Sequence, residues 1–369
     1  FCFMYPQADC TDGRYIDDLF DVEASYGIEY GQNVNEEFLF GNEYTQTLYM
    51  DVYEPVGDAL QDRPLIFFMF GGSFVGGARD SGYMVELCNR YASKGYVAVS
   101  IDYRLSPNLI LGASTQDAYQ AVIKGIHDLK AAIRYFRMND EGSDDFRIDS
   151  DRIFVGGVSA GAIASLNAVY ISDQSEALSL VSQDYLDSIG GLEGSSGNEG
   201  YDSHFHGVLN LSGAIGNTDW LVAGDIPVVN VHGDQDSVIP YAAGLITLFG
   251  LNMQVYGSFV INETMLSLGN SSDLYTFEGY DHSPFNSSDA NMDITVDFTR
   301  DFMVDVVCPA DEGIMGDLND DSILNIQDII IMINIVLGTE EYNETADLSG
   351  DGIINVLDVI QLMNLILDA

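Results

Sequence analysis

The sequence predicts an α/β fold followed by a small α-helical module. Up to Cys308, short apolar runs alternate with helical stretches, which indicates a mostly parallel sheet covered by helices on both faces. Beyond Cys308, the stretch that begins at Gly316 recurs from Ala346, thirty residues later. A duplicated unit of this length indicates a separate small module. We therefore predict two domains, residues 1–308 and residues 309–369.

The elements of the larger domain follow from the spacing of apolar residues. Residues 115–139 carry Ala, Ile and Leu at helical spacing and predict an amphipathic helix. The segment 171–205 is polar and rich in Gly and Ser, and we interpret it as an insertion that forms a surface loop, a lid or a pocket wall. Residues 47–56 predict a half-exposed strand. Continuous apolar runs predict buried strands at 65–70, 97–101, 153–157, 208–211, 227–232 and 274–277.

The charge of the chain is extreme for its length. The 369 residues carry a formal net charge of -45, and Arg300 is the only Lys or Arg after Arg152. This charge disfavours nucleic acid and anionic membranes as partners. It is typical of adaptation to salty water or of calcium loading, and equally of a surface that became acidic because solubility tolerates it. No uncharged apolar stretch reaches the 18 residues of a membrane-spanning helix.

The sequence predicts where the protein is located and, from that location, the oxidation state of its cysteines. The absence of a starting Met and of a cationic leader is expected if a signal peptide has been removed, so we predict a secreted or cell-surface protein. Cys2, Cys10, Cys88 and Cys308 then favour one or two disulfides over free thiols, with the pairing left open.

A candidate nucleophile lies in the pentapeptide from Gly157 to Gly161. Ser159 is its central residue, between a predicted buried strand and a predicted helix. A Gly-x-Ser-x-Gly pattern in that context is typical of a sharp strand-to-helix turn, where side chains at the flanking positions would collide. We predict that Ser159 attacks a carbonyl carbon.

A serine nucleophile needs a base, and the base needs an orienting group. Asp236 follows the strand predicted at 227–232, and His282 follows the strand at 274–277. Because active sites of such sheets form at the carboxyl ends of the strands, we expect both side chains to meet Ser159 there. Asp234 is the alternative orienting residue.

Backbone N–H groups must stabilise the oxyanion that forms in this reaction. The strand at 65–70 ends in Phe70, followed by a glycine pair that lets the backbone approach a substrate closely. We predict that Gly71, Gly72 and Ala160 donate these N–H groups.

Across residues 40–305 the chain resembles the α/β-hydrolase carboxylesterases, especially secreted bacterial esterases with an HGGG-type oxyanion loop. The resemblance implies a serine carboxylesterase that needs no cofactor, and it implies a structural role for Arg104. One position departs from the pattern, because Phe70 stands where the family has the histidine that fixes the loop. The matching pieces are 71–74, 100–105, 128–134, 157–161, 232–236 and 279–282.

Other functions of the large domain also fit its sequence. It could act on feruloyl, acetylxylan or polyester bonds in polymer breakdown, or be an inert scaffold or adhesion protein with a hydrolase fold. Trp220 and Leu221 either line an acyl pocket or pack in the core. His204 and His206 either bind a metal or act as a base, or lie at a surface strand edge. We interpret His127 as a structural residue in a helix interior and His232 as a residue that shapes the loop of Asp236.

The small module contains two loops with oxygen-bearing residues at positions 1, 3, 5 and 12, and a backbone carbonyl at position 7. This is the spacing of EF-hand calcium loops, here with Asp at position 12, and each loop runs into an apolar helix. The predicted ligands of two Ca²⁺ ions are Asp317, Asn319, Asp321, Ile323 and Asp328 in the first loop, and Asp347, Ser349, Asp351, Ile353 and Asp358 in the second.

Residues 316–369 resemble a dockerin module. The resemblance implies anchoring to a cohesin-type scaffold domain. The pairs at 326–327 and 356–357 depart from the Ser-Thr pair common in cellulosomal dockerins. Packing of the module against its own esterase domain is therefore kept as the alternative to cohesin binding.

Overall fold

The structure is a computed structural model with two compact units, Phe1–Cys308 and Pro309–Ala369. Each unit is described by itself. The described residues are 10, 13–308, 316–319, 324–339, 344–350 and 352–368.

The larger unit is built on a twisted, mostly parallel sheet. Among the described residues its strand order is β1-β2-β4-β3-β5-β6-β8-β11. The strands β7, β9 and β10 form a smaller antiparallel sheet in the order β7-β10-β9. The strand bounds are β1 Val22–Glu36, β2 Glu43–Pro55, β3 Arg63–Met69, β4 Val97–Ile101, β5 Ile148–Val158, β6 Gly207–Leu211, β7 Ala214–Ile215, β8 Val228–Gly233, β9 Ala243–Ile246, β10 Met253–Gly257 and β11 Ser272–Phe277.

The central strands are buried along their whole length. Every residue of β3, β4, β6 and β8 is buried, which matches their continuous apolar runs and a sheet covered on both faces. All seven predicted strands are present, but β2 is mostly buried over residues 48–55 and not half-exposed. The prediction missed the three strands of the smaller sheet. It also missed β1, which pairs antiparallel with β2 at the edge of the sheet and exposes most of its residues, so its sequence carries no apolar run.

Helices cover the sheet between the strands. The predicted helix at 115–139 is confirmed as α2, and a capping box formed by Ser114 and Asp117 fixes its start. The helices of the larger unit are α1 Gly82–Ala92, α2 Thr115–Asp140, α3 Ala160–Tyr170, α4 Gln174–Leu178, α5 Gln183–Ser188, α6 Ser258–Ser267 and α7 Asp289–Val307.

Arg104 holds one face of this unit together. Its guanidinium pairs with Asp128 of α2 at 2.9 Å, and both side chains are buried. The same guanidinium donates to the carbonyl of Val34 in β1 and to the hydroxyl of Ser196 in the 171–205 insertion. The structural role expected for Arg104 therefore consists of joining an edge strand, a helix and an insertion.

A disulfide closes the larger unit. Cys10 is bonded to Cys308 across a sequence separation of 298 residues, so it ties the start of the unit to the end of α7. Among the described cysteines, Cys88 is a buried free thiol. Cys2 lies outside the described residues.

The smaller unit packs two helices, α8 (Ile326–Val336) and α9 (Val356–Asp368), against each other. Its small core includes Ile329, Met332 and Leu362. No described helix in either unit has the length and apolar character needed to cross a lipid bilayer.

Candidate active site

Ser159 sits on a strained turn between β5 and α3. Its backbone has φ 53° and ψ -114°, a conformation that costs energy for a residue with a side chain. A Cβ atom at Gly157 would lie 2.3 Å from the carbonyl carbon of Gly161, and one at Gly161 would lie 2.1 Å from the carbonyl oxygen of Met69. Both glycines are therefore required by space, which is the physical basis of the pentapeptide.

The structure brings Ser159, His282 and Asp236 together. The Oγ of Ser159 lies 2.9 Å from Nε2 of His282, and Nδ1 of His282 lies 2.7 Å from Oδ2 of Asp236. The three residues follow β5, β11 and β8, so they converge at the carboxyl edge of the parallel sheet. In this arrangement the serine hydroxyl donates to Nε2, and the imidazole N–H at Nδ1 donates to the carboxylate.

Asp236 is a buried carboxylate whose hydrogen-bonding capacity is filled. Its Oδ1 accepts the N–H groups of Val238 and Ile239, both at 2.8 Å. Its Oδ2 accepts from His282 and also from Nε2 of His232 at 3.0 Å. Burial by itself raises the pKa of Asp236, but the hydrogen bonds from the two histidines and the backbone outweigh it and hold the pKa below its ordinary value. Asp236 is therefore ionised at neutral pH.

The alternative orienting residue, Asp234, does not reach the imidazole. Its Oδ1 accepts the N–H of Gly279 at 2.6 Å and so links the loop after β8 to the loop after β11. Asp281 has a related role, because it accepts from the N–H groups of Ser237 and His282. Both carboxylates shape the loops that carry Asp236 and His282.

The oxyanion loop differs in one residue from the prediction. The N–H of Gly71 donates to the hydroxyl of Tyr83 at 3.1 Å, so it is already engaged and does not serve the reacting carbonyl in this arrangement. Gly72 and Ser73 line the same pocket as Ser159 and His282. Ser73 has φ 55°, a left-handed conformation that places this part of the chain in a tight turn.

Two tyrosines, Tyr103 and Tyr83, hold the predicted oxyanion loop at Phe70 and Gly71. The ring of Phe70 stacks on Tyr103 with centroids 4.4 Å apart, and the Tyr103 hydroxyl donates to the carbonyl oxygen of Phe70 at 2.8 Å. Burial raises the pKa of Tyr103, which keeps this hydroxyl protonated as a donor. Tyr83 accepts the N–H of Gly71, so both polar groups of the Phe70–Gly71 peptide are bound by a phenol.

Two pockets meet at Ser159. One is almost wholly apolar, with a cavity volume of about 50 Å³. The other is more open and more polar. The apolar pocket is lined by Ser73, Phe74, Leu109, Ala118, Val122, Ser159, Ala160, Ile163, Ile239, Ile246, Leu248, Phe249, Leu251 and Met253. The open pocket is lined by Gly71, Gly72, Ser73, Tyr83, Val158, Ser159, Val238, His282, Ser283, Phe285 and Asn286.

The 171–205 insertion lines neither pocket at Ser159. It contains α4 and α5, and Glu193 within it accepts from Lys130 of α2 at 2.7 Å. The insertion is therefore packed across α2, and the alternatives of a lid or a wall of the pockets at Ser159 are wrong. Trp220 and Leu221 are buried in the core and likewise line neither pocket.

Three of the other histidines, His127, His204 and His206, are bound to groups outside the site. His127 is buried in α2 with Nε2 2.8 Å from the carbonyl oxygen of Gly191, and burial lowers its pKa to about 4. Nδ1 of His206 accepts the N–H of Ile153 at 3.1 Å, and burial followed by neighbouring charge lowers its pKa to about 4. His204 lies beside it, with ring centroids 5.9 Å apart. These side chains have the structural roles anticipated for them.

The predicted calcium ligands lie partly within the described residues. Asp317 is buried, and the amide of Asn319 donates to Gln327 at 3.1 Å. Asp347 accepts the N–H of Gly352 at 2.7 Å and the hydroxyl of Ser349 at 3.2 Å. The carbonyl of Ile353 accepts the amide of Asn355 at 3.0 Å. Asp321, Ile323 and Asp351 lie outside the described residues, within which no three His, Cys, Asp or Glu side chains converge as metal ligands.

The carboxylates at position 12 fit a bound cation. Asp328 and Asp358 are fully buried in the first turns of α8 and α9. After Arg300 the sequence has no Lys, Arg or His, so the module supplies no cationic side chain for these buried charges. Because carboxylate, amide and carbonyl oxygens are the ligands that Ca²⁺ prefers, the donor set fits calcium.

Comparison with known proteins finds a family match in each unit. Residues 50–215 match the BD-FAE family, and residues 315–367 match the dockerin type I domain. The larger unit is thus similar to esterases of the α/β-hydrolase fold, and the smaller unit is similar to dockerin type I domains. Dockerin type I domains bind calcium and interact with cohesin domains.

Individual relatives agree with the esterase domain. The chain is 34% identical over 135 residues to esterase LipC of Mycobacterium tuberculosis, a match that covers 35% of this chain and 29% of that protein. It is 30% identical over 122 residues to lipase 1 of Geotrichum candidum, which covers 32% of this chain and 21% of that protein. The chain thus spans less than a third of the length of the curated relatives that it matches.

Solved esterases share the fold of this domain. Thermogutta terrifontis esterase 2 phosphorylated by paraoxon superimposes with a TM-score of 0.52 at 20% identity, which covers 75% of this chain and 94% of that one. The propionate-bound form of the same esterase gives the same values. At this level of identity the likeness shows the α/β-hydrolase fold alone.

Calcium removal tests the ligand assignment in the dockerin domain. We expect excess EDTA to lower the melting temperature of the dockerin transition in the full-length protein by roughly 5 °C or more, because the cation binds the folded loops and the carboxylates repel each other without it. Differential scanning calorimetry measures the change. The double variant Asp328→Asn/Asp358→Asn should lose this response, and Asp305→Asn on exposed α7 surface should retain it. A dockerin transition unaffected by EDTA would contradict the assignment.

Proposed function

We propose that the protein is a serine carboxylesterase that hydrolyses carboxylic esters through an acyl-enzyme. The observation that carries this proposal is the hydrogen-bonded series from Ser159 to His282 to Asp236, with distances of 2.9 and 2.7 Å. The match of residues 50–215 to BD-FAE and the partial matches to proteins named esterase and lipase support it. The chemistry of these three side chains requires no cofactor.

Each step uses groups that the geometry has already placed. Nε2 of His282 accepts the hydroxyl proton as Oγ of Ser159 attacks the ester carbonyl carbon. The tetrahedral intermediate collapses, its C–O bond to the alcohol breaks, and the leaving alcohol takes the proton from Nε2. A water molecule then attacks the acyl-enzyme and transfers its proton to Nε2. The carboxylic acid leaves, and the proton returns to Oγ.

The oxyanion is assigned to three N–H groups in this proposal, with one change from the sequence prediction. Ser73 replaces Gly71, because the Gly71 N–H is engaged by Tyr83. Within the described residues, the N–H groups of Gly72, Ser73 and Ala160 donate to no protein acceptor. Ala160 is also the first residue of α3, so the positive end of the helix faces the developing charge. Each such donor contributes about 3–4 kcal/mol to the stability of the transition state.

Substitution of the nucleophile tests the proposal. We expect Ser159→Ala to lower kcat/KM for p-nitrophenyl acetate by at least about 10⁴-fold, because no acyl-enzyme can form. Stopped-flow or plate-reader assays of p-nitrophenol release measure the rates.

Ser212→Ala is the matched control, since Ser212 is a buried serine at the end of the neighbouring strand β6 and also has a positive φ. It should keep the wild-type rate within about threefold. Undiminished hydrolysis by Ser159→Ala would refute the esterase mechanism, and an inert scaffold would show no hydrolysis in any variant.

The two pockets suggest how an ester lies on Ser159. The apolar pocket extends from Ser159 between α2 and the segment that contains β9 and β10, so we assign it to the acyl chain. The open pocket beside His282 takes the alcohol, because this side is where the leaving group must receive its proton. Simple esters with an apolar acyl chain are therefore the preferred substrates. Feruloyl, acetylxylan or polyester bonds remain the alternative, since the open pocket can accommodate a polymer-linked alcohol.

A change in the acyl pocket tests this assignment. Ala118 lines the apolar pocket from α2, and Ala118→Leu places three further carbons in it. We expect kcat/KM for p-nitrophenyl hexanoate to fall by roughly 10–200-fold, since the variant excludes the distal methylenes. The acetate ester should be hydrolysed within about threefold of the wild-type rate. An unchanged ratio between the two esters in the folded variant would contradict the assignment.

We propose that the dockerin domain binds two Ca²⁺ ions and a cohesin-type scaffold domain outside the cell. The side chains that follow Asn325 and Asn355 are exposed and apolar, with Ile326 64%, Val356 62% and Leu357 57% exposed. Exposed apolar side chains at equivalent positions of both repeats are typical of a surface that binds a partner, which supports the proposal. The Cys10–Cys308 disulfide supports an oxidising, extracellular location.

Binding measurements test the partner of the dockerin domain. We expect the full-length protein to bind at least one member of a cohesin panel in calcium, with affinity lowered about 100-fold or more by EDTA. Val356→Asp/Leu357→Asp should weaken binding, because it introduces charge into an apolar contact, and Phe259→Asp on the exposed surface of the esterase domain should not. Binding that is equally tight for the Val356→Asp/Leu357→Asp variant would place the contact elsewhere.

A further inference from the structure

A second histidine shares the carboxylate of the candidate triad. His232 is the penultimate residue of β8 and is fully buried. Its Nε2 lies 3.0 Å from Oδ2 of Asp236, the same oxygen that accepts Nδ1 of His282 at 2.7 Å. Nε2 of His232 is also 3.2 Å from the carbonyl oxygen of Ile239. Because both neighbours of this nitrogen are acceptors, it must carry a proton and donate.

A buried series of hydrogen bonds fixes the other nitrogen of His232. Its Nδ1 lies 2.7 Å from Oγ of Ser258, and that Oγ accepts the side-chain amide of Asn210 at 3.0 Å. The Ser258 proton is then free to donate to Nδ1. The orientation of the Asn210 amide is set by its oxygen, which accepts the N–H of Gly213 at 2.8 Å.

All three side chains behind Asp236 are fully buried: Asn210, Ser258 and His232. The donors point in one direction along the series, from Asn210 to Ser258, to His232 and to Asp236. In this arrangement Nε2 of His232 carries a proton and donates, and Nδ1 accepts. Buried ring nitrogens need hydrogen bonds in any role, so what sets His232 apart is its partner, the same Asp236 oxygen that His282 uses.

We propose that His232 is a positioning residue that sets the basicity of His282 through their common partner, Asp236. The proposal rests on the proposed function of Ser159, His282 and Asp236. Its physical basis is that the His232 N–H withdraws negative charge from the oxygen on which the His282 imidazolium depends. Less charge on Oδ2 stabilises the imidazolium less, so His282 loses its proton at a lower pH and is available as a base over a wider pH range.

His232 also orients the carboxylate before the reaction begins. The two N–H groups on Oδ1 and the His232 N–H on Oδ2 hold Asp236 without any help from His282. The imidazole of His282 can then gain and lose its proton without a rotation of its partner. This is preorganisation of the kind that lowers the barrier for charge formation in a buried site.

Four other titratable groups surround His282 and His232, and they are the same in every variant that is compared below. Around His282 and His232 they come from the loops after β8 and β11, from α1 and from the segment before β9. They are Asp234, Asp281, Tyr83 and Tyr241. None of them is changed in the experiment below, so a difference between variants reports on His232.

The experiment compares His232→Gln with His232→Asn in the full-length protein. The amide nitrogen of Gln can occupy the place of Nε2 and donate to Asp236, whereas the shorter Asn reaches only the place of Nδ1. The kcat/KM for p-nitrophenyl acetate is measured as a function of pH. We expect the acidic limb of His232→Asn to move upward by roughly half a pH unit or more, and that of His232→Gln to stay close to wild type. His127→Gln, which removes a buried histidine elsewhere, should leave the limb unchanged.

Two results would overturn the proposal. The first is an acidic limb that is the same in folded His232→Asn as in wild type, which would reduce His232 to packing. The second uses the wild-type protein, so it does not depend on a variant folding: ¹⁵N NMR that finds His232 protonated on Nδ1 in the active pH range. Failure of the esterase proposal itself is distinguishable, because Ser159→Ala would then retain hydrolysis or the wild-type protein would show none.

Discussion

The candidate site depends on one strained residue. Ser159 holds a backbone conformation of φ 53° and ψ -114°, which the chain can adopt because Gly157 and Gly161 leave room for the crossing of β5, α3 and the end of β3. The strain is offset by the buried sheet on which the turn is built. It places Oγ at the edge where β8 and β11 end, and places the first N–H of α3 beside it. The candidate nucleophile Ser159 and the candidate oxyanion donor Ala160 therefore share one backbone feature.

Polar side chains behind the site keep that arrangement rigid. Asp236 accepts four hydrogen bonds, so its charge and its orientation are set by the protein. The oxyanion loop is held at Phe70 by Tyr103 and at Gly71 by Tyr83. The two phenols bind the carbonyl and the N–H of the Phe70–Gly71 peptide, so the loop is held without an imidazole at position 70. Both supports act through hydrogen bonds that shape the site and leave Ser159 free to react.

Three residues of the candidate site could be predicted because their positions follow one rule of parallel sheets. Ser159, Asp236 and His282 were identifiable because each follows a buried strand, and the carboxyl ends of parallel strands meet. Sequence reasoning could not identify Tyr83, since nothing in the spacing shows that a phenol from α1 reaches Gly71, and it therefore named Gly71 as an oxyanion donor. It also missed β1, whose exposed residues give no apolar signal, and it left the Cys10–Cys308 pairing open because disulfide partners depend on tertiary contacts.

The central claim is that Ser159 is a nucleophile activated by His282 and Asp236. Fluorophosphonate labelling of the full-length protein, followed by mass spectrometry of its peptides, tests this claim most directly, because the reagent forms a stable bond with an activated serine. We expect a single labelled peptide that contains Ser159, and we expect His282→Ala to abolish the labelling. Absence of labelling in the folded protein, or stable labelling at a different serine, would contradict it.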